Sequence, residues 1–150
     1  MSGNDAFAQC LERLNRAVPH LAVGGADDGP ELAMSCAGLM AEGERGVDAT
    51  ADWRAAFRAT TTDSDGRCPP GVDLTFVLLF YCDVLATPAA YAAALGPWVL
   101  DVSPPMVTFG LATPWSHPLA VRLVRGGFAV ELDPDARREL ARTAYLRHAR

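Results

Sequence analysis

Residues 119–132 read LAVRLVRGGFAVEL, from Leu119 to Leu132, two short alternating runs joined by Gly126-Gly127. A period of two places successive side chains on opposite faces of a strand. A two-residue Gly-Gly connection tolerates the backbone twist that a tight hairpin demands. The implied register pairs Leu123 with Val130 and Val121 with Leu132 on one face, and it sets Arg122 opposite Glu131 on the other. Apolar pairing and charge complementarity select the same register. The stretch therefore predicts one antiparallel β-hairpin near the C-terminus.

Around this hairpin the pattern is helical. Asp133-Pro134 offers a cap and a first-turn proline for a last helix, with Ala136, Leu140, Ala144 and Tyr145 on its apolar side. Arg147, His148 and Arg150 fall in its last turn, at the negative end of the helix dipole. Upstream of the hairpin, Thr113 to Pro118 reads as a loop. Pro104 or Pro105 predicts a helix start that buries Met106, Val107, Phe109 and Leu111. Residues 72–86, VDLTFVLLFYCDVLA, are apolar nearly throughout, and their length favours a buried helix. Thr87-Pro88 opens a further alanine-rich helix that Gly96-Pro97 ends.

In the first half of the chain, Phe7, Cys10, Leu11, Leu14, Ala17 and Val18 recur at spacings of three and four, over a helix from about Asp5 to Val18. Residues 24–30 are a loop by composition. A second helix from Pro30 buries Leu32, Cys36, Leu39 and Met40, and a third from Asp48 or Thr50 carries Trp53, Ala56 and Phe57. Asp63-Ser64-Asp65-Gly66 resembles part of a calcium loop. Its register puts Thr61 and Val72 where calcium needs carboxylates, so it reads as a turn. The expected architecture is α+β: a mainly helical single domain over residues 1–150, with about six helices and one antiparallel hairpin.

Half of the residues are apolar, enough for a core that needs neither metal nor disulfide support. A formal charge of −5 argues against a nucleic-acid partner held through phosphates. The charge is uneven. Residues 117–150 carry seven Arg against four acidic residues, a surplus of +3 that leaves −8 on the rest. All 13 basic residues are Arg, which excludes Schiff-base, pyridoxal-phosphate and P-loop lysine chemistry. No apolar run reaches membrane-spanning length, because the longest candidate, Val84 to Leu100, is interrupted by Pro88 and Pro97. The opening residues Met1-Ser-Gly-Asn-Asp have no signal-peptide character, so a cytoplasmic location is expected.

Recognised catalytic and phosphate-binding motifs are absent. Cys10, Cys36, Cys68 and Cys82 share no CxxC spacing, so no metal or cofactor set is expected from them. Cys10, Cys36 and Cys82 lie in apolar stretches and read as buried, inert thiols. His117, beside Trp115 and Ser116, could line a site or act as a base. Asp83, inside an apolar helix, is the other candidate acid or base. The positive C-terminal end suits an anionic ligand, with Arg125, Arg122 and His117 as donors and Trp115 as an apolar wall. Arg125 is favoured over Arg122, which the hairpin register pairs with Glu131.

From about Val72 onward the order of features resembles the FhuF family of siderophore–iron reductases. The residues that carry the resemblance are Leu78-Leu79-Phe80-Tyr81-Cys82-Asp83 in an apolar helix, and Trp98-Val99-Leu100 leading to Pro104-Pro105-Met106-Val107. The stretch Leu119 to Leu132 and the helix from Asp133 follow in the same order. Members of that family bind a ferric siderophore and reduce Fe(III) to Fe(II), with an electron from a [2Fe–2S] cluster held by adjacent cysteines and a CxxC. Neither Cys-Cys nor CxxC occurs in these 150 residues. The resemblance thus implies a cluster-free protein of iron metabolism that binds a ferric siderophore or a redox partner protein, with no catalytic residue carried over. Two other readings stay open: a small tailoring enzyme using His117 and Asp83, and a protein-interaction module.

Overall fold

A computed structural model of the chain describes residues 3–29, 32–61, 66–113 and 116–147. In chain order these form α1 (Gly3–Ala17), β1 (Ala22–Gly25), β2 (Met34–Ser35), α2 (Cys36–Glu44), α3 (Ala51–Thr60), α4 (Val72–Leu95), β3 (Trp98–Leu100), β4 (Val107–Leu111), β5 (Pro118–Leu123), β6 (Phe128–Val130) and α5 (Pro134–Leu146). The expected α+β class holds. One sheet has the order β1-β5-β4-β2, and β3 and β6 form a separate two-stranded sheet.

The antiparallel hairpin near the C-terminus is β4–β5, one element earlier than residues 119–132 suggest. Val107 pairs with Leu123 and Phe109 with Val121. On the other edge of β5, Val23 pairs with Val121 and Gly25 with Leu123, in parallel. A strand has only two edges. Both edges of β5 are occupied, so the chain beyond Gly127 cannot fold back on it. It pairs with β3 instead, Val130 opposite Trp98. The proposed partners of the 119–132 register end in solvent: Val130 is 50% and Leu132 79% exposed. Arg122 therefore does not face Glu131. It sits between Gly24 and Thr108. Residues 125–127 form a short 3-10 turn, and neither Gly126 nor Gly127 has a positive φ.

Two further elements differ from expectation for local reasons. After Pro104–Met106, a single 3-10 turn, the chain becomes β4 rather than a helix. Val107 and Phe109 are buried while Thr108 between them is half-buried, a period of two that outweighs the helix-starting prolines. The two helices expected over 72–96 are one helix of 24 residues with Pro88 inside. Pro88 removes a single backbone donor, and its ring is buried in the core, which offsets the loss. By length and composition alone this helix could cross a membrane, with a mean hydropathy of 1.6. In the fold it packs against α1, α3, α5 and β3.

Of the remaining helices α1 follows its sequence pattern, whereas α5 buries Ala144 and leaves Leu140 exposed. The α1 stripe of Phe7, Cys10, Leu11 and Leu14 is buried, as is Val18. The second helix begins at Cys36 rather than at Pro30, because residues 34–35 pair with β4 as β2 and the Ser35 hydroxyl caps the helix by accepting the Gly38 N–H at 3.3 Å. Leu32 therefore lies before the helix, Cys36 is buried, and Leu39 and Met40 are half-buried. Asp133 caps α5 by accepting from Asp135 N at 2.9 Å. Residues 63–65 of the Asp-Ser-Asp turn lie outside the described residues, as do Pro30, His148 and Arg150.

Asp73 fastens α4 to α3. Its carboxylate is 6% exposed, meets the Arg58 guanidinium directly and lies 3.6 Å from Nη1 of Arg54. Phe57 stacks on Phe76 beside it, with centroids 5.2 Å apart. Burial alone would raise the Asp73 pKa, but the Leu74 backbone N–H and the Arg58 and Arg54 guanidinium groups together hold it below the usual carboxylate range. A depressed folded-state pKa contributes stability above the unfolded value, near 3.9, and loses it as pH falls through the folded value. Asp73→Asn is therefore expected to lower the melting temperature at pH 7, with the gap to the parent narrowing between pH 5 and 3. A gap independent of pH would show that charge plays no part.

The turn makes a second expectation. A Cβ at Gly127 would lie 3.1 Å from both Cβ and the carbonyl oxygen of Asp101, whereas one at Gly126 meets nothing within 4 Å. Gly127→Ala should cost about 1–2 kcal/mol in urea unfolding, through displaced backbone and packing. Gly126→Ala should change stability by less than about 0.5 kcal/mol.

Candidate functional site

The anion-binding residues suggested by sequence divide between the two ends of β5. His117 precedes the strand and Arg125 follows it, so roughly 17 Å of extended chain lies between them. Trp115 lies outside the described residues. Arg122 and Arg125 remain together at the C-terminal end of β5.

At that end β1 runs into the loop Gly25 to Gly29. Asn15 fixes the free edge of β1 like a neighbouring strand: its amide accepts from Val23 N at 2.9 Å and donates to Val23 O at 2.7 Å. Gly25 N donates to the Asp28 carboxylate at 2.7 Å, and Ala26 N to Leu123 O at 2.9 Å, which close the loop. The Arg122 side chain arches over this backbone. A Cβ on Gly24 would lie 2.9 Å from its Nη1, so a side chain there would displace the guanidinium, whereas one on Gly29 would lie 3.7 Å from its Nη2, an ordinary contact. Its Nε is buried without a hydrogen-bond partner, and its Nη1 reaches only the Val121 carbonyl at 3.5 Å. Arg125 is exposed, lies beside Gly3 at the start of α1, and forms no ion pair among the described residues. It lines a cavity of about 220 Å³ with Asn4, Phe7, Gly25, Asp27 and Asp28. The helix N-terminus adds positive potential there. Asp27 and Asp28 add acceptors, so the pocket is mixed rather than uniformly cationic.

The other end of β5 is held by Trp53. Its indole N–H donates to the Ser116 carbonyl at 2.7 Å, and its ring lies 5.5 Å from that of Phe109. Ser116 is buried with φ 56, a left-handed backbone uncommon outside glycine. Trp53 forms one wall of a cavity of about 500 Å³ between α2, α3 and the end of the sheet. Met34, Leu39 and Leu111 supply apolar surface, and Glu42 and Asp52 supply the charge. Neither carboxylate could be assigned a role from sequence, because only the packing of α2 against α3 brings them to one cleft.

Asp83 and His117 are not brought together as an acid–base pair: no hydrogen bond or ion pair links them among the described residues. Asp83 accepts from the Thr87 hydroxyl one turn on. Cys10 and Cys36 are buried, and burial pushes their thiols up to about 12 and about 11, which makes both inert. Cys82 corrects the expectation of a buried thiol, because it is exposed. No group of three His, Cys, Asp or Glu side chains is placed to hold a metal among the described residues. No family model matches the chain, and no curated protein or solved structure is detectably similar to it.

Proposed function

We propose that this chain is a cluster-free, FhuF-like binding protein of iron metabolism, and that it takes an anionic ferric chelate at the Arg122–Arg125 end of β5. The observation that carries this reading is the guanidinium of Arg122, buried at Nε without an acceptor, on the same end of β5 as an Arg125 that forms no ion pair among the described residues. Guanidinium groups hold carboxylate and hydroxamate oxygens through paired, charge-assisted hydrogen bonds. The cavity at Arg125, about 220 Å³, suits one acidic arm of a chelate rather than the whole complex. The iron centre would then lie over the surface, and Asp27 could accept from the amide N–H groups of the arm. The order of residues from Leu78 to Asp83 and from Trp98 to Val107 is what ties such a ligand to iron. Four unpaired thiols suit a reducing compartment.

A redox partner protein is the second reading. Leu74, Leu78 and Leu79 on α4 are 44%, 51% and 59% exposed, and such surface on one helix favours a protein contact. That partner would supply the electron that reduces Fe(III) to Fe(II).

Gallium chelates, which neither quench fluorescence nor change redox state, test the first reading. Arg125→Ala and Arg122→Ala should each weaken binding by about 1–2 kcal/mol. His117→Ala, at the far end of the strand, should leave it unchanged. A panel of hydroxamate and catecholate complexes that never binds, or arginine variants that bind as well as the parent, would overturn the assignment.

A further inference from the structure

We propose that the cleft between α2 and α3 is a separate site for a small organic cation with an apolar body, of the arylalkylamine class. The site does not depend on the chelate reading, because β5 stands between the two.

Its shape comes from small residues. Gly38 on α2, Ala49 before α3 and Ala56 on α3 leave about 500 Å³ open between the helices, within the range that small ligands occupy. The inner surface is apolar and rigid. Trp53 is 3% exposed and pinned at both its N–H and its ring face, by Ser116 and Phe109. Met34, Leu39 and Leu111 complete that surface.

Its charge is of one sign. Glu42 and Asp52 line the cleft from opposite helices, and among the described residues no Arg lines it with them. Among the described residues neither carboxylate has an ion pair or a side-chain hydrogen bond, whereas Asp48 and Asp73 nearby are both engaged by arginines. Asp52 is explained by its place in the first turn of α3, where the dipole favours an acid. Glu42 is not. It lies in the last turn of α2, where the dipole disfavours a carboxylate and the turn itself holds no basic residue; Arg45 follows only as the C-cap and forms no ion pair with it among the described residues. A cation in the cleft would satisfy both acids and the negative end of α2, with its apolar body against Trp53 and Leu39. An anion of the same size would be repelled by all three.

The test compares phenethylammonium with phenylacetate, which share an apolar body and differ in charge, by two-dimensional NMR on the intact protein. Phenethylammonium should bind saturably, with a Kd on the order of 1 mM, as expected for so small a ligand. Phenylacetate should bind at least about tenfold more weakly. Glu42→Gln and Asp52→Asn should each weaken the amine about two- to fivefold, the range of an exposed ion pair. Ala56→Phe, which fills the cleft without changing charge, should abolish binding and leave the melting temperature unchanged. The assignment falls if the amine fails to saturate at 20-fold this concentration, roughly 20 mM. It also falls if phenylacetate binds equally well, or if both charge variants bind like the parent. The Gln and Asn variants keep side-chain volume, so a folding defect in Ala56→Phe leaves the charge test intact.

Discussion

Strand β5 has two edges and both are used, and most of the remaining topology follows from that. With β1 on one side and β4 on the other, Val121 and Leu123 face the core between Val23 and Phe109. The chain leaving Leu123 has no free edge to return to. It turns through residues 125–127, reaches β3, and so ties the sheet to the C-terminal end of α4. Gly127 sits at this crossing, where its carbonyl accepts from Asp101 N at 2.7 Å. The outermost strand, β1, would itself expose an edge, and Asn15 covers it by mimicking a strand through its amide.

Three of the helices are legible in the sequence because they carry long patterns. Spacing of three and four marks α1 and α5, and sheer apolar length marks α4. The strands are not, because they are short and their partners distant. Ala22-Val-Gly-Gly25 has no alternation to read, and its pairing with residues 120–123 lies about a hundred positions away. The alternation of 119–132 is real, but its first run pairs with β4 before it and with the distant β1, and its second run pairs with β3. The proline pairs misled in a similar way. Pro88 reads as a helix start and Pro104 as another, yet burial of Pro88 and the alternation after Met106 decide otherwise.

The candidate site shows the same division. That the C-terminal third of the chain is positive can be read by counting, and it points to Arg122 and Arg125. Which of the two is occupied cannot be read so, because it depends on register. The 119–132 register assigned Glu131 to Arg122, while the real neighbours are Gly24 and Thr108, neither of them charged. His117 looked adjacent to these arginines along the chain. An extended strand separates residues faster than any other backbone, and it carries His117 to the opposite end. The acids of the α2–α3 cleft lie ten positions apart on different helices, a relation no spacing rule detects.

The exposed leucines of α4 follow from a mismatch of lengths. A helix of 24 residues extends about 36 Å, whereas the strands of the main sheet reach about 20 Å at most. The sheet and α1 therefore cover only part of the helix. Its C-terminal half is enclosed by β3 and α5, where Val84, Leu85, Ala89 and Ala92 are buried. Its N-terminal half has α3 on one side, through Asp73, Phe76 and Phe80, and α2 near Val77 and Tyr81. Leu74, Leu78 and Leu79 lie beyond what two short helices can shield. Helices of nine and ten residues span only about 14–15 Å. The apolar surface is thus a consequence of the fold's proportions, and it lies on the half of α4 that Asp73 and Phe76 anchor to α3.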